Sequence, residues 1–367
     1  MGYRISSIST TFSLMYVVFF IFFNYLAQAQ NEKHTAFEVG TVAQLEQTQP
    51  IFNTQKPLEV SLSFDVKKLM RGKYKEDYQP ATLVYQRQDE AGLAYDTVQL
   101  KIKARGNSRK RLCQFPPLKL NFAPKKTPQG HFSGLDKVKL VAYCKNSELY
   151  EQYILKEYYA YKLYEVFSNR TFKTRLLRVT YLDTKRKRKP VVRYGFLIED
   201  EDEVVERLNV YTYETNQIHP NNCDKVATTT LALFQYMIGN TDWSVAKQHN
   251  IRLFVPDQAH GETRPFAIPY DFDHSGLVNA HYAIVSKTLP VNKVTERYYL
   301  GYCCEEEIVE EVVARFANKK DEVFEIFEND TFLRDKEKQQ AINYLNDFYA
   351  KLEKPQQIKA LLGKQCK

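Results

Sequence analysis

The chain is poor in the residues that build metal fingers and redox pairs. Its 367 residues include six cysteines, none in a CxxC pair and none at Cys/His ligand spacing, so a structural zinc site is not supported. It has no internal repeat and no low-complexity segment. Charge is scarce at the start, where Arg4 is the only charged side chain among residues 1–29. The apolar run FSLMYVVFFIFFNYL in that stretch is short for a membrane span, and the small residues Ala27 and Ala29 follow it. This is the layout of a secretory signal peptide cleaved after Ala29. No cysteine stands beside that site, which argues against a lipoprotein signal. The expectation is an exported protein with no stable membrane span after cleavage.

What is present points to a globular chain. About 340 residues remain after cleavage, enough for one large two-lobed domain or two smaller ones. Hydrophobic content of 44% argues against disorder, and 26 Tyr with 23 Phe favour β-structure or an aromatic-rich core. The net charge of +8 suits an acidic ligand without demanding one. Much of the excess sits in the KRKRK run at 185–189, which reads as a solvated hairpin tip. No recognition module accompanies it, so no nucleic-acid partner is expected. An even cysteine count in an exported chain permits disulfides, and Cys113 and Cys144 flank neighbouring candidate strands and could pair.

Three segments alternate as half-buried strands do: LKIKAR (100–105), LKLNF (118–122) and KVKLV (137–141). If they share a sheet, one face packs a core and the other carries a row of cations. LEVSLSF (58–64) and ATLVY (81–85) extend the β-rich region, and TRLLRVTYL and VVRYGFLIED add two strands joined by the basic tip. Residues 147–167 read as a helix with Ser147 as N-cap. Its expected apolar face comprises Leu149, Tyr150, Tyr153, Ile154, Tyr161, Leu163 and Phe167. A second helix runs through NNCDKVATTTLALFQYMIGN, started by Asn222 or Asp224 and stopped by Gly239. Residues 304–363 read as charged amphipathic helices. The order is α+β: a β-rich lobe carrying one helix over 56–205, after a segment at 30–55, then a mostly helical lobe over 206–367.

The polar loops carry the chemistry. GNTDWSVAKQHN (239–250) presents Asp242 beside Trp243, the only tryptophan, and ends on Asn250. AIPYDFDHSG (267–276) presents Asp271 and Asp273, two positions apart at the end of a candidate strand. In extended chain both carboxylates would project from one face and would need a cation between them. An aspartate that orients a hydroxyl, followed by an asparagine and an aspartate that hold Mg²⁺, is the order of a phosphoryl-transfer site.

KARGNSRKRLCQFPPLKLNF (103–122) resembles the RGNSS segment of the CotH-like kinase family, the spore-coat kinases and their relatives. GLDKVKLVAYCKN, YGFLIEDEDEV, GNTDWSVAKQHN and IPYDFDHSG are similar to that family's later motifs in order, over roughly residues 56–280. Arg109 stands where the family has a second serine. The resemblance implies a two-lobed protein-kinase-like architecture whose β-rich lobe binds nucleotide and whose helical lobe is catalytic. The implied activity passes the γ-phosphate of ATP, with Mg²⁺ or Mn²⁺, to Ser or Thr of a surface or secreted protein. By position it makes Asp242 the catalytic aspartate, and Asn250, Asp271 and Asp273 the metal side. Lys119, with Lys139 second, would hold the phosphates. Arg105, Gly106, Asn107 and Ser108 would form the turn over them. Glu157, or in second place Glu151, would pair the lysine from the helix, and Glu199 would lie at an adenine-side hinge. Two other functions compete. One is a kinase-like surface binding or adhesion protein without transfer. The other is a structural surface protein in which Asp271 and Asp273 hold Ca²⁺.

Overall fold

The structure is a computed structural model that describes residues 50–363 apart from 55, 90–91, 123–129 and 258–263. The expected signal peptide, most of the segment 30–55 and Cys366 lie outside the described residues. In chain order the elements are β1 (Leu58–Phe64), α1 (Val66–Arg71), β2 (Gln79–Asp89), β3 (Gly92–Ala104), α2 (Ser108–Leu112), β4 (Leu118–Asn121), β5 (Lys137–Val141) and α3 (Glu148–Phe167). They continue with β6 (Thr174–Asp183), β7 (Val191–Ile198), α4 (Glu201–Leu208), β8 (Val210–Thr212), α5 (Lys225–Ile238), β9 (Ile251–Pro256) and β10 (Phe266–Pro269). Four helices close the chain: α6 (Glu306–Asn318), α7 (Lys320–Glu328), α8 (Asp335–Leu352) and α9 (Pro355–Gly363). No helix of the described residues is long and apolar enough to cross a membrane.

The alternating strands behave as their pattern requires. Val60, Leu62, Leu83, Ile102, Leu118, Leu120 and Leu140 are buried in one core, while the residues between them are mostly less buried. The seven strands then close into a barrel in the order β1-β2-β3-β4-β5-β7-β6. Every neighbouring pair is antiparallel except β1 and β6, which run parallel from Leu58↔Leu177 to Phe64↔Asp183. This closed barrel overturns the kinase-like architecture that the sequence resemblance implies, although the chain is α+β overall. The physical reason is edge pairing. Period-2 alternation fixes which side chains face inward, but it says nothing of which two strands meet to remove the sheet's edges.

The first half of β6 and the second half of β7 are buried on both faces. Leu177, Val179 and Leu197 point into the barrel, and Leu176, Phe196 and Ile198 join the second core with α3. Near-continuous apolar sequence is what such strands need. Helix α3 packs on β6 and β7 and against α5 and α7, so it is enclosed nearly all round. Gln152, Lys156 and Glu157 are buried along with its tyrosines, whereas Leu149, expected on the buried face, is exposed. Ser147 occupies the N-cap position but makes no side-chain cap bond. Helix α5 is bounded as its sequence suggests. The Asp224 carboxylate accepts from the Ala227 amide at 3.0 Å, and Gly239 ends the helix in the left-handed region at φ 64°. The basic run at 185–189 is an exposed connection between β6 and β7. Finally, β8, β9 and β10 form a small antiparallel sheet in the order β10-β9-β8, which delivers Asn250 just before β9 and Asp271 just after β10.

Candidate functional site

The cation between the paired aspartates is supplied by the chain itself. Helix α2 follows the turn at Gly106, whose φ of 85° favours glycine, and it ends at Cys113. Cys113 is disulfide-bonded to Cys144, 31 positions on, in the loop that leads into α3. That bond fastens α2 beside α3 and directs Arg109 inward, with only 8% of its side chain exposed. Its Nη2 donates to Glu157 Oε2 at 2.6 Å and lies 2.9 Å from Asp273 Oδ2, while Nε donates to the same Asp273 oxygen at 3.0 Å. Asp271 Oδ1 stands 3.6 Å from Nη2. The Tyr282 hydroxyl adds a third donor to Asp273 at 3.2 Å. Charge-assisted, forked contacts of this kind are the strong ones.

The backbone is not extended there, contrary to expectation. Strand β10 stops at Pro269, and Asp271 takes the left-handed region at φ 64°. Its amide donates to the Tyr161 hydroxyl of α3 at 2.9 Å, which holds it in that conformation. The two aspartates then differ sharply: Asp273 is 7% exposed and Asp271 is 43% exposed.

Titration follows from this crowding. Burial, together with the Asp273 and Asp271 charges, pushes Glu157 up to about 8 against the pull of Arg109. Loss of water in the cleft and the charge of Asp273 push Asp271 up to about 6. Burial alone would raise Asp273 too, but Arg109, His274 and the Tyr282 hydroxyl hold it below the ordinary carboxylate value. Burial works against the charge on Arg109, yet Asp273 and Glu157 hold it protonated.

A cleft of about 40 Å³ opens above this cluster, lined by Arg105 to Arg109 on one side and by Val141, Ile198, Tyr270 and Asp271 on the other. Known ligand sites are roughly ten times larger.

Asp242 lies on the neighbouring loop. Its Oδ1 pairs with His249 Nε2 at 2.8 Å, and Asn250 Nδ2 donates to its Oδ2 at 3.1 Å and to its backbone carbonyl at 2.8 Å. The Asn250 carbonyl accepts from the Tyr270 amide at 3.0 Å, so the Asp242 turn and the Asp271 turn are fastened together. Asp242, Asn250, Asp271, Asp273, Glu157 and the 105–108 turn thus gather in one region.

The lysines do not join them as expected. Lys103, Lys119 and Lys139 stand in register across β3, β4 and β5, the cationic row foreseen from alternation. Each has an acidic partner: Glu76 at 3.0 Å, Asp200 at 3.0 Å and Glu201 at 3.3 Å respectively. Glu201 also accepts from Arg252 Nε at 2.9 Å. Burial lowers Lys139, opposed by Glu201. Glu157 pairs with Arg109 and not with Lys119, so the lysine–helix pair predicted from sequence is an arginine–helix pair. Glu199 is 1% exposed and binds Arg207 through both oxygens, at 2.8 and 2.7 Å, which makes it a buried support and not a hinge contact.

Mg²⁺ and Mn²⁺ take hard oxygens and usually only one or two carboxylates from the protein. Asp271 offers one half-exposed carboxylate. Asp273 Oδ2 is committed to Arg109 and Tyr282, and the Asn250 amide donates to Asp242. Among the described residues no three His, Cys, Asp or Glu are placed to hold a metal. Asn250, Asp271 and Asp273 do not converge on one shared ion position here, because Asp273 is held by Arg109 and Tyr282 and the Asn250 amide by Asp242.

Sequence reasoning missed Arg109 and Tyr282. Arg109 is noticeable in the sequence only as a departure from the RGNSS pattern, and Tyr282 carries no local signal. No known protein-family model matches the chain, and no curated protein matches it.

Proposed function

We propose that the protein is an exported phosphotransferase that passes the γ-phosphate of ATP to a protein hydroxyl. The observation that carries this reading is the meeting of an Arg109–Glu157 ion pair, a half-exposed Asp271 and the Asp242–Asn250 pair, from segments far apart in the chain. A cation paired to a helix carboxylate, beside a carboxylate that meets a nucleotide-borne metal, is the recurring apparatus of phosphoryl transfer. Bound Mg²⁺ or Mn²⁺ would neutralise phosphate charge. Arg105 and the amides of the 106–108 turn would approach the phosphates, and Asp242, half-exposed and oriented by His249 and Asn250, would accept the hydroxyl proton. The resemblance to CotH-like kinases supports the same reading through these loops alone. The Cys113–Cys144 disulfide suits an oxidising compartment, as export requires.

A second reading, a surface protein that binds without transfer, is favoured by the small cleft and by Arg109's hold on Asp273. Radiolabel transfer from ATP to generic protein acceptors separates the two. Transfer is expected from the mature protein with Mg²⁺ or Mn²⁺, and Asp271→Asn should abolish it with an unchanged circular dichroism spectrum. Calorimetry that finds no binding of millimolar Mg²⁺-ATP would remove the enzyme reading.

A further inference from the structure

A second concave surface lies beside the candidate cleft. The segment from Lys67 to Lys75 contains five cations and no acid. Lys67, Lys68, Arg71 and Lys75 are exposed and line a groove of about 440 Å³, within the range of ligand-sized sites. Buried Leu69 and half-buried Tyr78 give it an apolar floor. Two acids also line it: the Asp65 carboxylate is engaged as the N-cap of α1, accepting from the Lys68 amide at 2.9 Å, and Asp77 is exposed beside the cations.

These four cations differ from those next to them. Lys103, Lys110, Lys119 and Lys139 each hold a carboxylate of this chain. Lys67, Lys68, Arg71 and Lys75 form no ion pair with any described residue. Glu76, the nearest acid in sequence after Lys75, is turned away to Lys110 and Lys103, which hold its pKa down at about 2. The groove therefore presents four exposed cations against the one exposed carboxylate of Asp77, a net positive charge.

Its position matters as much as its charge. Ala104, the last residue of β3, lines the groove, and the next residue, Arg105, lines the candidate cleft. The loop after α1 is tied to α2, which carries Arg109, through the Tyr74 hydroxyl donating to the Lys110 carbonyl at 3.3 Å and through Glu76.

We infer that this groove docks an acidic peptide segment, and that the segment belongs to the phosphoacceptor. Binding follows from the groove alone, whereas the acceptor role rests on the proposed transfer activity. A concave surface with an apolar floor suits a chain that lays side chains into it, and a flat membrane does not. Three of the four cations are lysines, compact point charges without the planar fork that favours bidentate sulfate or phosphate contacts.

The test uses the mature protein and a fluorescent Glu/Asp-rich peptide containing one serine, with a neutral peptide and a sulfated heparin oligosaccharide as comparators. The acidic peptide should bind, weaken as salt screens the contacts, and lose about tenfold or more in affinity when Lys67, Lys68, Arg71 and Lys75 are all changed to Gln. Exposed Lys→Gln and Arg→Gln changes should leave the circular dichroism spectrum intact. Equal binding to the quadruple variant, or heparin binding tighter than the peptide, overturns the inference. Labelling from ATP then tells the two proposals apart. A bound peptide that takes no label, with no generic acceptor labelled either, keeps the groove and removes the transfer reading. Labelling of neutral peptide as fast as acidic peptide keeps transfer and removes the acceptor role of the groove.

Discussion

Replacing Arg109 by Met keeps an unbranched apolar stem, removes the buried guanidinium and exposes what it neutralises. Glu157 and Asp273, the two carboxylates it bridges, have side chains 2% and 7% exposed. Breaking a buried ion pair by deleting one partner costs about 3–5 kcal/mol, because a charge is left without compensation. The two acids do not contribute equally. Burial and the neighbouring carboxylates raise Glu157 against the pull of Arg109, so its share is the smaller one. Asp273 owes its low value to Arg109 and carries most of the loss, which places the expected cost near the lower end, about 3 kcal/mol. The pH dependence gives the sharper test. In the native protein Asp273 has a depressed folded pKa, so its contribution is present above its unfolded value and is lost as pH falls. In Arg109→Met its folded pKa rises above the unfolded value, so the variant recovers relative stability as pH falls. The gap between the two proteins should therefore narrow between about pH 7.5 and about pH 5 in urea unfolding. Arg109→Lys, which keeps the charge and loses the fork, should fall between them and covers the case in which the Met variant does not fold. Equal stability of Arg109→Met and the native protein at about pH 7.5, or a gap that widens on acidification, would refute the reasoning.

Glu157→Gln mimics the protonated acid. Because the native carboxyl is raised from 4.5 to about 8, its favourable share is complete below 4.5 and is lost as pH climbs to about 8. The variant should flatten the decline in melting temperature across that window, and an unchanged slope would show that another group is responsible. Removing the Cys113–Cys144 bond by paired Ala substitutions opens a loop of 31 residues and should cost about 3–4 kcal/mol on the loop-closure account. It should also loosen α2, so any transfer activity would fall along with stability. Calorimetry of the double variant beside native protein, with and without reductant, checks the first part, and a melting temperature insensitive to both changes would contradict it.

Much of the secondary structure could be read directly. Alternation at 58–64, 100–105, 118–122 and 137–141 marks the barrel strands, because one face of each must be apolar. Asp224 and Gly239 mark the ends of α5 through local hydrogen bonds and backbone conformation. Even the register row of Lys103, Lys119 and Lys139 follows from period-2 spacing once the strands are neighbours. Helix α3 was less legible, since its enclosure by barrel and helices buries polar positions that periodicity assigns to solvent.

The site was legible as residue types and not as partnerships. Asp242, Asn250, Asp271 and Asp273 could be picked out because carboxylates and amides in turns beside strand ends are few and closely spaced. The choice of cation could not. Lys119 and Arg109 are basic residues on either side of the FPPL stretch, and only the fold pairs one with Asp200 and the other with Glu157 and Asp273. The sequence by itself determined the strands, the helix ends and the acidic loops, since each depends on neighbours within a few residues. Closure of the barrel through β1 and β6, and the seating of Arg109 among three carboxylates, were decided by the tertiary structure. The β1–β6 pairing and the Arg109–Asp273 contact join segments more than a hundred positions apart, and no local pattern specifies which distant charges or strand edges will meet.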